Sequence, residues 1–148
     1  MAKIVFLHGK ESVRGGTKPK FLGGAGHDVV EPESLHGSFD EAVASAQATI
    51  DEFEPDVIVG SSRGGALAMA VNSRGARLVL IAPAWRMFGV APSVPAGTTV
   101  LHCEDDDIVP IGDSLELAAA GADIETCGTS HRMSDIGALD ALAIAAGS

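Results

Sequence analysis

The segment Gly60-Ser61-Ser62-Arg63-Gly64 has the pattern Gly-x-Ser-x-Gly, which can present a serine hydroxyl as a nucleophile. It directly follows the β-branched run Val57–Val59 and precedes a stretch of small residues typical of a helix. A serine in such a sharp turn needs glycines around it, because bulk there would collide with the strand or the helix. The pattern predicts Ser62 as the nucleophile. A tight turn without a catalytic role is the alternative.

A serine hydroxyl becomes nucleophilic when a base takes its proton. Of the five histidines, only His131 follows Ser62 with an acidic residue between the two. Its loop consists of glycine and small polar residues, and we expect it to reach over the strand ends. An exposed histidine without a role is the alternative. His8 and His102 each end a buried strand, and we interpret both as structural.

Four consecutive carboxylates, Glu104 to Asp107, lie between the serine and the histidine. Asp106 begins the pattern Asp-x-x-Val-Pro, which favours it as the acid that accepts the second ring N–H of His131. Asp107 and Asp105 remain alternatives. A solvated turn or a hard-cation site would also fit such a cluster. No second acidic cluster lies near a strand end, so we predict no metal and no cofactor.

An oxyanion intermediate needs N–H donors that are already in place. The backbone N–H of Arg63 directly follows the serine. The loop after the first strand, His8-Gly9-Lys10, offers the backbone N–H of Lys10. We predict these two N–H groups as the oxyanion hole.

Positive side chains are expected around Ser62 although the chain is acidic overall. Half of the ten basic residues fall in loops predicted to surround the serine, namely Lys10, Arg14, Arg63, Arg86 and Arg132. This predicted basic rim favours an anionic acyl substrate. The alternative is that Glu11, Asp105 or Asp107 neutralises these cations. In the long loop after the fourth strand, Trp85, Met87 and Phe88 could line an acyl pocket or belong to the core.

Strands and helices alternate along the whole chain. The predicted strands are Ile4–Leu7, Asp28–Glu31, Val57–Val59, Leu78–Ile81, Val100–Cys103 and Ile124–Cys127. The predicted helices run from Phe39 to Phe53 behind a Ser38–Glu41 capping box, from Gly64 to about Val71, from Pro110 to about Ala120, and from a Ser134 cap to about Ala145. This alternation predicts a parallel sheet covered on both faces, with functional loops at the carboxyl ends of its strands.

Length and composition limit the classes of protein. The 148 residues suit one domain spanning residues 1–148, and 46% apolar residues can form a core. A net charge of −10 argues against nucleic acid or an anionic membrane as a partner. The two widely spaced cysteines predict free thiols, and the apolar run at the N-terminus is too short for a signal peptide or a membrane span. We therefore expect a soluble, cytoplasmic protein.

These motifs, in this order and spacing, resemble the α/β-hydrolase superfamily. The resemblance rests on Leu7-His8-Gly9, Gly60-x-Ser62-x-Gly64, Leu101-His102 through Asp106-x-x-Val109-Pro110, and Ser130-His131. The chain is most similar to the small, lidless bacterial esterases. The resemblance implies a minimal three-layer α/β/α sandwich with about six parallel strands in the order 2-1-3-4-5-6. It also implies the triad Ser62, Asp106 and His131.

The predicted function is a serine hydrolase that cleaves small acyl esters or thioesters. Cys103 stands where the superfamily commonly has glycine, and no cap domain fits between Ile81 and Thr99. A non-catalytic α/β-hydrolase-like protein that binds a small ligand is the main alternative. A flavodoxin-like phosphate site at Gly60–Gly65 would leave the positions of Asp106 and His131 unexplained.

Overall fold

The structure is a computed structural model that describes residues 1–10 and 12–147. In this part of the chain, six strands form one parallel sheet in the order β2-β1-β3-β4-β5-β6. The strands are β1 (Lys3–Leu7), β2 (Asp28–Val30), β3 (Val57–Ser61), β4 (Arg77–Ile81), β5 (Thr99–His102) and β6 (Asp123–Thr126). The helices are α1 (Thr17–Gly24), α2 (Phe39–Phe53), α3 (Arg63–Ala70), α4 (Ile111–Ala119) and α5 (Ile136–Gly147). The predicted strand order is confirmed.

Helices cover both faces of the sheet and enclose two apolar cores. On one face α1 and α5 pack against the strands, with Leu22 and Leu142 buried. On the other face α2, α3 and α4 contribute the buried side chains Ile50, Leu67 and Leu117. Because both faces are covered, the strands are almost continuously apolar, as in other three-layer α/β domains. The predicted three-layer architecture is confirmed.

The capping box of α2 forms as predicted. The Ser38 hydroxyl accepts the Glu41 N–H at 3.1 Å, and the Glu41 carboxylate accepts the Ser38 N–H at 3.1 Å. The helix ends at Phe53, after which Glu54 adopts a left-handed conformation with φ of 52°. Pro55, which follows, prevents the helix from continuing.

Helix α1 was not predicted, and the predicted cap of α5 is wrong. The eight residues of α1 include Pro19 and two glycines, which weaken the helical pattern. Proline is tolerated there since it falls in the first turn, where its missing N–H has no partner to lose. Ser134 does not cap α5: the Asp135 carboxylate accepts the Ala138 N–H at 3.2 Å, while the Ser134 hydroxyl donates to the Arg132 carbonyl.

The remaining boundaries differ by one or two residues. Strands β5 and β6 each begin and end one residue earlier than predicted. Strand β3 continues to Ser61, the residue directly before the predicted nucleophile. Among the described residues, no helix is long and apolar enough to span a membrane.

Candidate active site

Ser62 lies in the sharp turn that joins β3 to α3. Its backbone has φ of 57° and ψ of −114°, a conformation that costs about 1–3 kcal/mol for a residue with a side chain. The end of β4 and the loop after it hold Ser62 there, because the Ser62 N–H donates to the Ile81 carbonyl at 2.9 Å and the Ala84 N–H donates to the Ser62 carbonyl at 3.0 Å. The turn therefore presents the Ser62 side chain above the sheet at the positive end of α3.

The glycines on either side of Ser62 allow α3 to pack directly on the sheet. A Cβ added to Gly60 would lie 2.3 Å from the Gly64 carbonyl oxygen. A Cβ added to Gly64 would lie 1.9 Å from the Leu7 carbonyl oxygen. Both distances are far shorter than real contacts, so only glycine fits at these two positions. The close packing brings the start of α3 next to the end of β1.

Ser62, His131 and Asp106 form a continuous row of hydrogen bonds. The Ser62 Oγ lies 3.0 Å from His131 Nε2, and His131 Nδ1 lies 2.7 Å from Asp106 Oδ2. Since a carboxylate only accepts, His131 Nδ1 carries the proton and Nε2 is left free to accept from the serine. The His131 side chain is 18% exposed, so substrate and water can reach it.

The Asp106 carboxylate is fully buried and fully hydrogen-bonded. Its Oδ1 accepts the N–H groups of Ile108 and Val109, each at 2.8 Å. Burial alone would raise the pKa of Asp106, but hydrogen bonds from His131 and these two N–H groups outweigh it, and the pKa lies below its usual value. Asp106 is therefore ionised at neutral pH.

The other two acidic candidates lie outside this arrangement. Asp105 and Asp107 are exposed, and neither is in hydrogen-bond contact with His131. The structure brings Asp106 alone among these three carboxylates to the histidine. In the described residues, no group of three or more His, Cys, Asp or Glu side chains is arranged to hold a metal ion.

A second histidine also contacts the Asp106 carboxylate. His102 is fully buried, and its Nε2 lies 3.1 Å from Asp106 Oδ2 and 2.9 Å from the Val109 carbonyl oxygen. Both partners are acceptors, so this nitrogen carries a proton. The other ring nitrogen lies 2.6 Å from the Ser114 hydroxyl. Sequence reasoning anticipated a structural role for His102 but not its contact with the acid, for which the four-residue spacing to Asp106 is the only local signal.

A hydrogen bond and a packing contact hold the loop that carries His131. The Asp135 carboxylate accepts the Thr129 N–H at 3.1 Å, which closes the loop at its base. Met133 is 2% exposed, and a Cβ added to Gly128 would lie 2.5 Å from its sulfur. These contacts hold the imidazole in place over the sheet.

Two backbone N–H groups beside Ser62 remain available for a substrate. Arg63 is the first residue of α3, and no described residue accepts a hydrogen bond from its N–H or from that of Lys10. The loop leading to Lys10 runs against the serine, since a Cβ added to Gly9 would lie 3.4 Å from the Ser62 Cβ. An alcohol, a base, an acid and two free donors in this arrangement can carry out acyl transfer.

The chain resembles known proteins in structure but not in sequence. No family model matches the chain, and no curated protein matches it. Solved structures do match. Alpha/beta hydrolase domain-containing protein 10 from mouse has a TM-score of 0.76 and 18% identity, covering 96% of this chain and 86% of the mouse chain. Est1E from Butyrivibrio proteoclasticus has a TM-score of 0.75 and 14% identity, covering 97% and 84%. The esterase domain of a Rhodothermus marinus protein has a TM-score of 0.67 and 18% identity, covering 97% and 81%.

The chain has the α/β-hydrolase fold. In this fold the loops at the carboxyl ends of the strands carry the functional residues. Ser62, Asp106 and His131 follow β3, β5 and β6, and all three lie at that edge of the sheet.

The Arg63 side chain does not belong to the predicted basic rim. It is 7% exposed, and its guanidinium donates to the carbonyls of Leu35 and Gly37 at 2.7 and 3.1 Å. It also lies 5.9 Å from the Phe39 ring centroid and 5.7 Å from that of Phe88. The side chain therefore fastens the segment before α2 to the α/β-hydrolase core, a long-range contact without a local sequence signal.

The residues predicted to bind substrate after β4 are largely occupied elsewhere. Trp85 is 3% exposed and packs in the core, where its Nε1 donates to the Asp113 carbonyl at 3.2 Å. Arg86 forms ion pairs with the carboxylates of Asp113 and Glu116, so it does not belong to the rim either. Phe88 stacks on Phe39 with ring centroids 5.3 Å apart. The remaining member, Met87, is 57% exposed.

No described acidic side chain pairs with the other basic residues predicted around Ser62. Glu11 lies outside the described residues, and no described carboxylate forms a salt bridge with Lys10, Arg14 or Arg132. Asp105 and Asp107 do not neutralise them.

The two cysteines directly follow β5 and β6 and carry no disulfide. Cys103 is buried and Cys127 is partly buried, and both are free thiols, as predicted. Burial and the nearby carboxylates of Glu125 and Asp135 raise the pKa of Cys127 to about 11. That thiol is therefore protonated at neutral pH and a poor nucleophile.

Proposed function

We propose that this protein is a serine hydrolase that cleaves small acyl esters or thioesters through an acyl-enzyme intermediate. The proposal is supported chiefly by one observation, the row of hydrogen bonds from Ser62 Oγ to His131 Nε2 and from His131 Nδ1 to Asp106 Oδ2, at 3.0 and 2.7 Å. The same fold occurs in solved structures that are named as hydrolases and esterases.

In the first half of the reaction, Ser62 Oγ attacks the carbonyl carbon of the ester while His131 Nε2 takes the hydroxyl proton. The carbonyl oxygen becomes negatively charged and is bound by the N–H groups of Lys10 and Arg63. The His131 imidazolium then gives its proton to the leaving alcohol or thiol. The acyl group stays on the serine as an ester.

In the second half, a water molecule gives its proton to His131 and attacks the acyl-enzyme. The second tetrahedral intermediate uses the same two N–H donors, and its collapse returns the proton to Ser62 Oγ and releases the carboxylic acid. Throughout, the ionised Asp106 stabilises the imidazolium and keeps the ring in the productive tautomer. Its depressed pKa means that it does not take the proton itself at neutral pH.

The preference for small substrates follows from the loop between β4 and β5. Residues 82–98 form no helix longer than a turn, and Trp85 and Phe88 within this segment pack onto the body of the protein. No separate domain in this segment covers Ser62. A long acyl chain would have little apolar surface to bind, so short acyl groups are expected.

The test is covalent labelling of the intact protein with a fluorophosphonate, followed by mass spectrometry. We expect one adduct, on Ser62, that is lost in Ser62→Ala and strongly slowed in His131→Ala. His36→Ala is the matched control, because His36 is exposed and makes no contact with the triad. Labelling and hydrolysis of 4-nitrophenyl butyrate should both be retained in that variant.

The opposite result would be equally clear. An intact protein that is neither labelled nor active on short esters is not a serine hydrolase of this kind. Tight binding of a small acid or ester without turnover would then favour the ligand-binding alternative.

A further inference from the structure

A small polar cavity lies next to the candidate nucleophile, on the face of the sheet covered by α1. It has a volume of about 40 Å³ and is lined by Ser61 at the end of β3, His8 and Gly9 after β1, and Lys18 in the first turn of α1. Gly9 also borders Ser62, so the cavity adjoins the site of attack. The volume exceeds the roughly 10–15 Å³ that one water needs and suits a compact polar group. We name it the Ser61 pocket.

The Ser61 hydroxyl opens into this pocket without a partner. Ser61 is 9% exposed, and none of the described residues forms a hydrogen bond with its side chain. Its Oγ is not fully enclosed by protein either, since it is absent from the buried atoms that lack a partner. Water or a ligand atom can therefore reach this hydroxyl from the pocket.

Lys18 places a positive charge at the same pocket. Its ammonium donates to the Arg132 carbonyl, and no described carboxylate lies within salt-bridge distance. Burial and the nearby Arg132 guanidinium lower the pKa of Lys18 to about 8. Among the described residues the ammonium therefore has no counter-charge, and an anionic ligand would supply one.

The start of α1 adds to the positive potential. Its N-cap, Gly16, has no side-chain cap, and its first turn contains no acidic residue. The N–H groups of Thr17 and Lys18 are thus left without helical partners. Glu31 accepts the Gly15 N–H at 2.8 Å, but it does not line the pocket. The pocket therefore combines a hydroxyl, an ammonium and a helix N-terminus, and none of the described residues that line it is acidic.

We propose that the Ser61 pocket binds a carboxylate at the far end of a short acyl group, so that the substrates are half-esters of small dicarboxylic acids. Ser61 and Lys18 donate to the carboxylate, and Ser62 attacks the ester carbonyl a few carbons away. This inference rests on the proposed hydrolase function. In this proposal Lys18 of α1, and not Arg63 or Arg86, provides the positive charge that selects the substrate.

The test compares two esters with five acyl carbons, the mono-4-nitrophenyl ester of glutarate and 4-nitrophenyl pentanoate. Wild type should show kcat/KM at least about ten-fold higher for the glutarate half-ester, the effect of one charge-assisted hydrogen bond. Lys18→Met should remove most of this preference, and Ser61→Ala should reduce it several-fold. Lys18 also contacts the loop that carries His131, so its replacement can lower the activity on both esters. The ratio of kcat/KM for the two esters separates a loss of selectivity from such a general loss of activity.

Lys20→Met is the matched control. Lys20 lies on the same helix with the same charge, but it is exposed and does not line the Ser61 pocket. Its ratio should equal that of wild type. An equal effect of the two lysine variants would mean that only long-range charge acts, and the pocket would not be the binding site.

Calorimetry with glutarate separates failure of the pocket from failure of the proposed function. Glutarate should bind the wild-type protein and bind Lys18→Met at least about ten-fold more weakly. Turnover of both esters without a preference for the charged one would refute carboxylate binding in the Ser61 pocket but remain consistent with the hydrolase function. Absence of all turnover, with glutarate binding that depends on Lys18, would overturn the hydrolase function and support the pocket. Absence of turnover together with absence of glutarate binding would refute the hydrolase function and the carboxylate-binding pocket.

Discussion

Replacing Asp106 by asparagine tests the role of the acid while preserving its shape. The amide oxygen can take the place of Oδ1 and keep accepting from the N–H groups of Ile108 and Val109. The amide nitrogen then replaces Oδ2 and faces the ring nitrogens of His131 and His102. As a donor, it moves the His131 proton to Nε2, where the ring can no longer accept from Ser62.

The expected loss in kcat is about 10⁴-fold, the effect of imposing the wrong tautomer on a triad histidine. At 1.36 kcal/mol for each factor of ten, this corresponds to about 5.4 kcal/mol of transition-state stabilisation. The free energy of unfolding should fall much less, by about 1–3 kcal/mol, because the N–H groups of Ile108 and Val109 keep their acceptor and the His102 Nε2–H, which loses Oδ2, still donates to the Val109 carbonyl. The variant therefore stays folded, since a domain of this size is typically stable by about 5–15 kcal/mol.

The assay is kcat on 4-nitrophenyl butyrate, with urea unfolding as the measure of stability. Asp107→Asn makes the same charge change at an exposed neighbouring position and should keep wild-type activity. A folded Asp106→Asn protein that retains more than a tenth of wild-type kcat would refute the assigned role.

Acid titration of stability gives a second readout of the same residue. The folded-state pKa of Asp106 lies below the unfolded value of 3.8, so its stabilising contribution is present above that value and is lost as the pH falls through the folded pKa. The difference in unfolding free energy between wild type and Asp106→Asn should therefore be largest at neutral pH and shrink below pH 3.8. A difference that does not change between pH 7 and pH 3 would contradict the depressed pKa.

Three further substitutions test the surrounding structure. Gly64→Ala would bring a methyl group within 1.9 Å of the Leu7 carbonyl, so we expect a loss of at least about 3 kcal/mol in urea unfolding; a change below about 1 kcal/mol would contradict the close packing. Ser38→Ala removes the α2 cap and should lower stability by about 1 kcal/mol with unchanged kcat/KM, and no loss would mean that the capping box is not stabilising. His102→Asn should lower stability by about 2–4 kcal/mol and kcat by about ten-fold, because Asp106 keeps its three other donors. A loss in kcat as large as that of Asp106→Asn would mean that His102 contributes more to catalysis than its contacts indicate.

Much of the fold could be predicted because its signals are local. The apolar runs of the inner strands, the Ser38–Glu41 capping box and the glycines around Ser62 each define structure within a few residues. Once the strands are parallel, their carboxyl ends meet at one edge, which brings the loops bearing Asp106 and His131 together. Strand order came from the family resemblance, since no local feature encodes it.

The features that were missed depend on contacts between distant parts of the chain. Helix α1 has a weak helical sequence, and it is stabilised by burying Leu22 against the sheet. Asp135 and Ser134 are both good cap residues, and only the fold of the loop decides between them. Arg63 was expected at the surface, because nothing near it in the sequence reveals the carbonyls of Leu35 and Gly37 that it binds.

The backbone and the side chain of Arg63 have different roles. In the proposed mechanism its backbone N–H binds the substrate oxygen, whereas its guanidinium binds the carbonyls of Leu35 and Gly37 and holds the segment before α2 against the domain. Alanine scanning will therefore misassign this position: trimming the side chain loosens a distant segment and depresses turnover, although the group proposed to meet the substrate is left intact. Only a change to the main chain itself, such as replacing that peptide bond with an ester by chemical synthesis, would reveal what the nitrogen contributes.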